Sequence, residues 1–209
     1  MKYYHKIETL YERDEKTKKL IMGKFRNPTI EYLKDNLWQF TEKVDGTNII
    51  VYWDGHKVEF HGRTEKSEIP KELLARLNEL FGGEINEEMF EQKFGEKEVA
   101  LYGEGYGGKI QGGQYKDEHD FILFDVMIGN NWQPRETIED IANYFNIKAV
   151  PVVLVGTLQQ GIDYVLNNWN STIAEKNTKL EGIVGRTLIE TKDRCGNRNI
   201  VKIKYNDFK

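Results

Sequence analysis

The octapeptide T-E-K-V-D-G-T-N, residues 41–48, sets Lys43 between two acidic neighbours, Glu42 and Asp45, just ahead of Gly46. A lysine amine that gives up its proton is a nucleophile, and phosphorus is a centre it can attack. The plain alternative is a solvated lysine beside a β-turn, and the K-x-D-G tetrapeptide alone is compatible with both. The choice depends on what accompanies it further along the chain.

Several stretches downstream carry groups that such an attack would need. Arg63 lies in H-G-R-T. Glu104 lies at the end of an apolar strand in L-Y-G-E-G-Y-G-G, where a carboxylate projects at the sheet's edge, either into water or toward a ligand. Phe121 and Phe124 lie three apart in D-F-I-L-F-D-V, which in a regular strand turns them to opposite faces. One then packs in a core while the other is free to lie over a base. Glu181 opens E-G-I-V-G-R and Arg186 closes it. In V-K-I-K-Y, Lys202 and Lys204 alternate with Val201, Ile203 and Tyr205, so period two puts both ammonium groups on one strand face. That pattern suits an ordinary half-exposed strand, but two like charges side by side are best accommodated around an anion.

Taken in order, T-E-K-V-D-G-T-N, H-G-R-T, L-Y-G-E-G-Y-G-G, D-F-I-L-F-D-V, E-G-I-V-G-R and V-K-I-K-Y resemble motifs I, Ia, III, IIIa, IV and V of the covalent nucleotidyltransferases. These are the ATP-dependent DNA ligases, the RNA ligases and the mRNA-capping guanylyltransferases. Glutamate before the lysine and Thr47-Asn48 after the glycine look closest to RNA ligases of the RNA ligase 2 type. The resemblance implies that Lys43 attacks the α-phosphorus of ATP and holds AMP as a phosphoramidate. AMP then passes to an RNA 5′-phosphate, and a 3′-hydroxyl displaces it. It further implies that Asp45 takes part in the transfer and that Lys202 and Lys204 stabilise phosphate charge. Glu104 and Glu181 would be oxygen donors to Mg²⁺, or to Mn²⁺ in its place, with ribose as an alternative partner for Glu104. Phe121 would stack on adenine, Glu42 would accept from its exocyclic amine, and Arg63 and Asn48 would meet the phosphate or the RNA end. The rivals are a DNA ligase without its OB domain, a GTP-using capping enzyme, and a non-catalytic nucleic-acid-binding module of the same fold.

The elements that must position these groups are mostly strands. Asn27 and Pro28 form a helix start, as N-cap and first helical residue. The run N-I-I-V-Y-W before Asp54-Gly55 and H-K-V-E-F-H-G-R after it predicts a two-residue hairpin. Leu73, Leu74, Leu77, Leu80 and Phe81 have helical spacing, closed by glycines. Further helices are predicted in N-E-E-M-F-E-Q-K-F-G, P-R-E-T-I-E-D-I-A-N-Y-F and G-I-D-Y-V-L-N-N-W. L-W-Q-F-T-E-K is a strand entering the first motif, V-A-L-Y-G-E-G-Y-G a strand running into a glycine-rich loop, and D-F-I-L-F-D-V-M-I-G, V-P-V-V-L-V-G, E-G-I-V-G-R-T-L-I-E and N-I-V-K-I-K-Y-N further strands. Strands joined by short turns, with helices inserted, predict an α+β fold. The resemblance specifies it as a nucleotidyltransferase (ATP-grasp-like ligase) domain with antiparallel sheets flanked by helices.

The chain has 209 residues, 39% hydrophobic and 31% charged, which fits one folded domain over residues 1–209. Because it stops just after the sixth motif, an OB-fold or other C-terminal domain is not expected. The resemblance then implies good self-adenylation and weak sealing of plain 5′-phosphate ends without an accessory protein or domain. A net charge of −4 disfavours a protein that coats nucleic acid through bulk electrostatics, though not one that grips an RNA end locally. Without an apolar leader or an 18-residue apolar run, the expected location is the cytoplasm, with no membrane partner. Cys195 is the only cysteine, so neither an internal disulfide nor a Cys/His zinc site is expected.

Overall fold

The structure, a computed structural model, describes residues 1–112 and 114–208. Its first elements are β1 (Glu8–Thr9), β2 (Tyr11–Arg13), β3 (Leu20–Phe25), α1 (Pro28–Tyr32), β4 (Trp38–Lys43), β5 (Thr47–Trp53) and β6 (Val58–His61). Then come α2 (Lys71–Phe81), α3 (Glu84–Phe94), β7 (Val99–Gly107), β8 (His119–Ile128), β9 (Asn131–Trp132) and α4 (Arg135–Tyr144). The last are β10 (Lys148–Ala149), β11 (Val152–Gly156), α5 (Leu158–Asn167), β12 (Gly182–Thr187) and β13 (Ile200–Lys204). No helix among the described residues is long and apolar enough to cross a membrane.

These elements form two compact units. The first comprises Met1–His5 and Asp45–Val150, the second Lys6–Val44 and the segment from Pro151 onward. In the first unit the sheet order is β10-β8-β7-β5-β6, with β9 added beside β8. All its pairs are antiparallel except β10 with β8. Period two along β5 sends Ile49, Val51 and Trp53 to a core shared with Leu73, Leu77 and Phe81 of α2, Phe90 of α3 and Ile138 and Ile141 of α4. Ile50 and Tyr52 point to the opposite face, where Tyr3, Tyr4, Phe124 and Trp132 cover them. There the Tyr102 hydroxyl donates to the Lys2 carbonyl at 2.6 Å, and burial together with the Asp125 charge pushes that phenol well up.

The second unit is built on a five-stranded sheet, β1-β13-β12-β4-β11, antiparallel except where β1 runs parallel to β13. Along β4, Trp38, Phe40 and Glu42 are buried while Gln39, Thr41 and Lys43 alternate outward. The buried side meets Leu158, Ile162 and Val165 of α5, with Ile183, Val201 and Ile203 from the neighbouring strands.

Local sequence signals are mostly met. Asn27 caps α1, its side-chain oxygen accepting from Thr29 N at 2.8 Å. Leu73, Leu77 and Phe81 are the buried stripe of α2. Three expectations are corrected. The β5–β6 turn centres on Gly55-His56 rather than Asp54-Gly55, because Asp54 Oδ1 accepts from the amides of His56 and Lys57 at 2.8 and 2.9 Å and Gly55 takes the positive φ of +101°. Strand β7 continues through Glu104 to Gly107 instead of ending in a loop. Helix α5 begins at Leu158, one turn early, through a Thr157–Gln160 capping box.

Candidate active site

In the second unit, β12 runs between β4 and β13, and Gly182 is the register partner of Lys43 on one side and of Lys204 on the other. Directly opposed residues in antiparallel strands share a face. Two strand spacings set the lysine backbones about 10 Å apart, with no side chain between them. A Cβ at position 182 would sit 2.2 Å from the Ile203 carbonyl oxygen and 2.8 Å from Lys204 Cα. Glu181 closes the gap: its Oε2 accepts from Lys43 Nζ at 2.7 Å, and its Oε1 lies 2.6 Å from Lys204 Nζ. Lys43 and Glu181 are 24% and 15% exposed, so the pair is partly shielded yet open to a small ligand.

Lys202 lies opposite Val184 on the same face, as period two predicts. Burial lowers the affinity of its amine for a proton below that of an ordinary lysine, and the charges of Lys204 and Lys43 push the same way. Lys43, Lys202 and Lys204 thus share one face of the sheet, and Glu181 bridges two of them. Such a face favours an anion.

Glu42 departs from its expected role. As the neighbour of Lys43 in a regular strand it points to the opposite side of the sheet, and it is 2% exposed. Its carboxylate accepts from Thr172 N at 2.8 Å and from the hydroxyls of Ser171 and Thr172. Ser171 Oγ in turn accepts from the amides of Ile173 and Ala174, both at 3.1 Å. Here Glu42 anchors the loop that leads to Glu181; its oxygens do not face the surface that Lys43 occupies. Ser171 and Thr172 were not anticipated, and neither carries a local sequence signal.

In the first unit, Asp45 is exposed, and its backbone N–H donates to the Tyr115 hydroxyl at 3.0 Å. Tyr115 is 4% exposed and packs edge-on against Tyr106. It too was not anticipated. Glu104 is not at a sheet edge: it lies within β7, paired with Asn48 on β5 and Ile122 on β8. Asn48 Oδ1 is buried with no hydrogen-bond partner among the described residues, an orphaned acceptor on the residue paired with Glu104. Arg63 is exposed in the bend after β6. Phe121 differs from its expected place above a base. It is 1% exposed, edge-on to Phe81 in the helix-side core, while Phe124 takes the opposite strand face against Tyr4.

Among the described residues, no three His, Cys, Asp or Glu side chains gather as a metal cage. Glu104 belongs to the first unit and Glu181 to the second, and each offers one carboxylate. That donor type fits Mg²⁺, which takes one or two carboxylates and completes its shell with phosphate oxygens and water.

Solved structures share this fold. A substituted Naegleria gruberi RNA ligase with AMP and Mn matches with a TM-score of 0.64 and 22% identity over 87% of this chain and 53% of that one. Another substituted form of that ligase, with ATP and Mn, has a TM-score of 0.66 and 22% identity over 97% of this chain and 60% of that one. The chain therefore spans about half the length of the solved ligase it resembles. No curated protein matches by sequence. The profile of the RNA ligase family matches residues 36–204, from just before β4 to the end of β13. With Lys43, Glu181 and Lys204 all inside that match, the chain belongs to the RNA ligase family.

Proposed function

We propose that this chain is an ATP-dependent RNA ligase whose Lys43 becomes covalently adenylated. The observation that carries the reading is the Lys43–Glu181–Lys204 bridge, in which one carboxylate joins two lysine amines on neighbouring positions of the sheet. In the first step a bond forms between Lys43 Nζ and the α-phosphorus, and the bond to the pyrophosphate oxygen breaks. Two protons leave Lys43 Nζ on the way from ammonium to phosphoramidate, one to solvent before the attack and one, as the bond forms, to Glu181 Oε2, which lies 2.7 Å away. Lys202 and Lys204 balance charge on the α-phosphate and the departing pyrophosphate. AMP then moves to the 5′-phosphate of an RNA end, and the 3′-hydroxyl of a second end displaces it as the phosphodiester forms.

Asp45 and the orphaned Asn48 acceptor support contact with the nucleotide or the RNA end, as does exposed Arg63. A divalent cation, held by Glu181 or Glu104 together with phosphate oxygens, would add further neutralisation of the triphosphate. ATP and Mn are bound by the solved Naegleria gruberi ligase, which supports the same ligands here. Phe121 takes adenine only if it leaves the core, so stacking is not assigned to it.

The test is intact mass after incubation with ATP and Mg²⁺, with GTP in parallel and with Lys43→Ala as control. A gain of one AMP by the wild-type chain alone is the expected result. A label from GTP only, or an equal label on Lys43→Ala, defeats the proposal. Sealing of nicked DNA but of no RNA-containing strand would defeat the RNA part.

A further inference from the structure

Residues 169–180 form a narrow ribbon immediately before Glu181. Leu180 N donates to Trp169 O at 2.7 Å, Asn170 bridges to Lys179, and Ser171 N donates to Thr178 O at 2.8 Å. Glu42 holds the tip of this ribbon through Ser171 and Thr172. The ribbon presents Trp169 with 52% of its surface in water, whereas Trp38 and Trp53 are buried. Tyr205 stands edge-on to Trp169, 5.6 Å between ring centres. Lys179 Nζ sits 3.8 Å from the centre of the Tyr205 ring and 5.1 Å from that of Trp169, and it donates to Asn206 Oδ1 at 2.7 Å.

A lone exposed aromatic is ordinary. This one is combined with a cation and a second ring, and the cluster is joined to the candidate active site through the backbone. Tyr205 directly follows Lys204, and its N–H donates to the Glu181 carbonyl at 3.0 Å. The Tyr205 ring turns to the α5 side of the sheet, opposite the lysines, so the half-exposed indole with an ammonium over it stands on the Glu42 side, at the same end of the strands as Lys43, Glu181 and Lys204. Single-stranded nucleic acid is recognised by this combination of cations on the phosphates and aromatic faces on the bases.

We infer that Trp169, backed by Tyr205 and Lys179, is the stacking surface for the terminal base of the RNA 5′-phosphate end, whose phosphate reaches Lys204 and Lys43 round the shared end of their strands. This deepens the ligase reading and rests on it. Each stacked base contributes a factor of about 5 to 150 in affinity.

The experiment is fluorescence anisotropy of a single-stranded, 5′-phosphorylated oligoribonucleotide labelled at its 3′ end, with melting temperature as the folding control. Trp169→Ala should weaken binding about 5- to 150-fold, Trp169→Phe should keep most of the affinity, and Lys204→Met should lower the salt slope by about one. An oligonucleotide abasic at its 5′-terminal position should bind wild type as weakly as the intact one binds Trp169→Ala. Equal affinity of Trp169→Ala and wild type overturns the inference, as do equal losses in the Ala and Phe variants, no effect of the abasic site, or no binding by wild type. AMP labelling of the wild type is scored separately. No label with Trp169-dependent binding counts against the ligase reading alone, while label with Trp169-independent binding counts against this inference alone.

Discussion

Glu42 and Lys43 are neighbours in the chain and face opposite sides of the same strand. One carboxylate is enclosed beneath the sheet by Ser171 and Thr172, and the amine lies on the other side against Glu181. This divides the acidic company of the nucleophile into two tasks: Glu42 holds the loop, and Glu181 meets the amine.

The division can be tested at Glu42. Removing a buried, hydrogen-bonded carboxylate leaves its donors unsatisfied at a cost of about 1–3 kcal/mol, roughly 2 to 12 °C in melting temperature for a chain of this size. Glu42→Ala should show that loss by thermal melting, and Glu42→Gln a smaller one. A raised KM for ATP with no change in melting temperature would return Glu42 to the nucleotide.

Lys43→Arg separates charge from nucleophilicity. The guanidinium keeps an ion pair with Glu181 but does not lose its proton. The melting temperature should stay within about 2 °C of wild type, by the weight of a partly exposed pair, while AMP labelling disappears. Labelling that survives in the arginine variant would exclude Lys43 as the nucleophile.

Lys202 has a pH signature. Its proton affinity is depressed in the folded chain by burial and then by Lys204 and Lys43. At pH values between its folded pKa and the unfolded value near 10.4, the unfolded chain binds more protons, so this residue's contribution to stability rises with pH. Below that window the charged amine is a net burden. Lys202→Met should therefore melt higher than wild type at pH 7, and its advantage should shrink towards pH 10. A constant offset across that range would show that burial of the charge is not the cause.

Gly182→Ala tests the gap between the two lysines. The new methyl meets the β13 backbone at Ile203 and Lys204, which a flexible side chain cannot relieve. A loss of about 1–3 kcal/mol is expected, together with reduced AMP labelling as Lys204 is pushed away from Glu181. Wild-type labelling in a destabilised Gly182→Ala would show that the Lys204–Glu181 geometry is not needed.

What was legible in the sequence follows the range of the interactions. The α2 stripe, the Asn27 cap and the alternation of Lys202 and Lys204 come from neighbours a few residues apart, and all are found. The orientation of Glu42 was legible too: Trp38, Phe40 and Glu42 share a period-two face, and two of the three are large and apolar. For Phe121 and Phe124, alternation assigned opposite faces but not which face the helices would cover. Ser171, Thr172 and Tyr115 come from 70 to 130 positions away from the residues they bond, and no local pattern carries that information. Glu104 was misplaced because glycines suggested a loop where pairing on both sides sustains a strand.

The nucleophile's strand also has an unusual dependence on the order in which the chain is made. Both neighbours of β4 in its sheet, β11 and β12, lie more than a hundred residues further on, and the whole of residues 45–150 is assembled before either arrives. On a growing chain, Lys43 sits on a ribbon with both edges unsatisfied until late in synthesis. Contacts of such sequence separation form slowly, and an unpaired edge is an aggregation hazard while it waits. Pulse-labelled hydrogen exchange during refolding should show β7 and β8 amides protected ahead of those of β4. Simultaneous protection would mean that the two units fold as one.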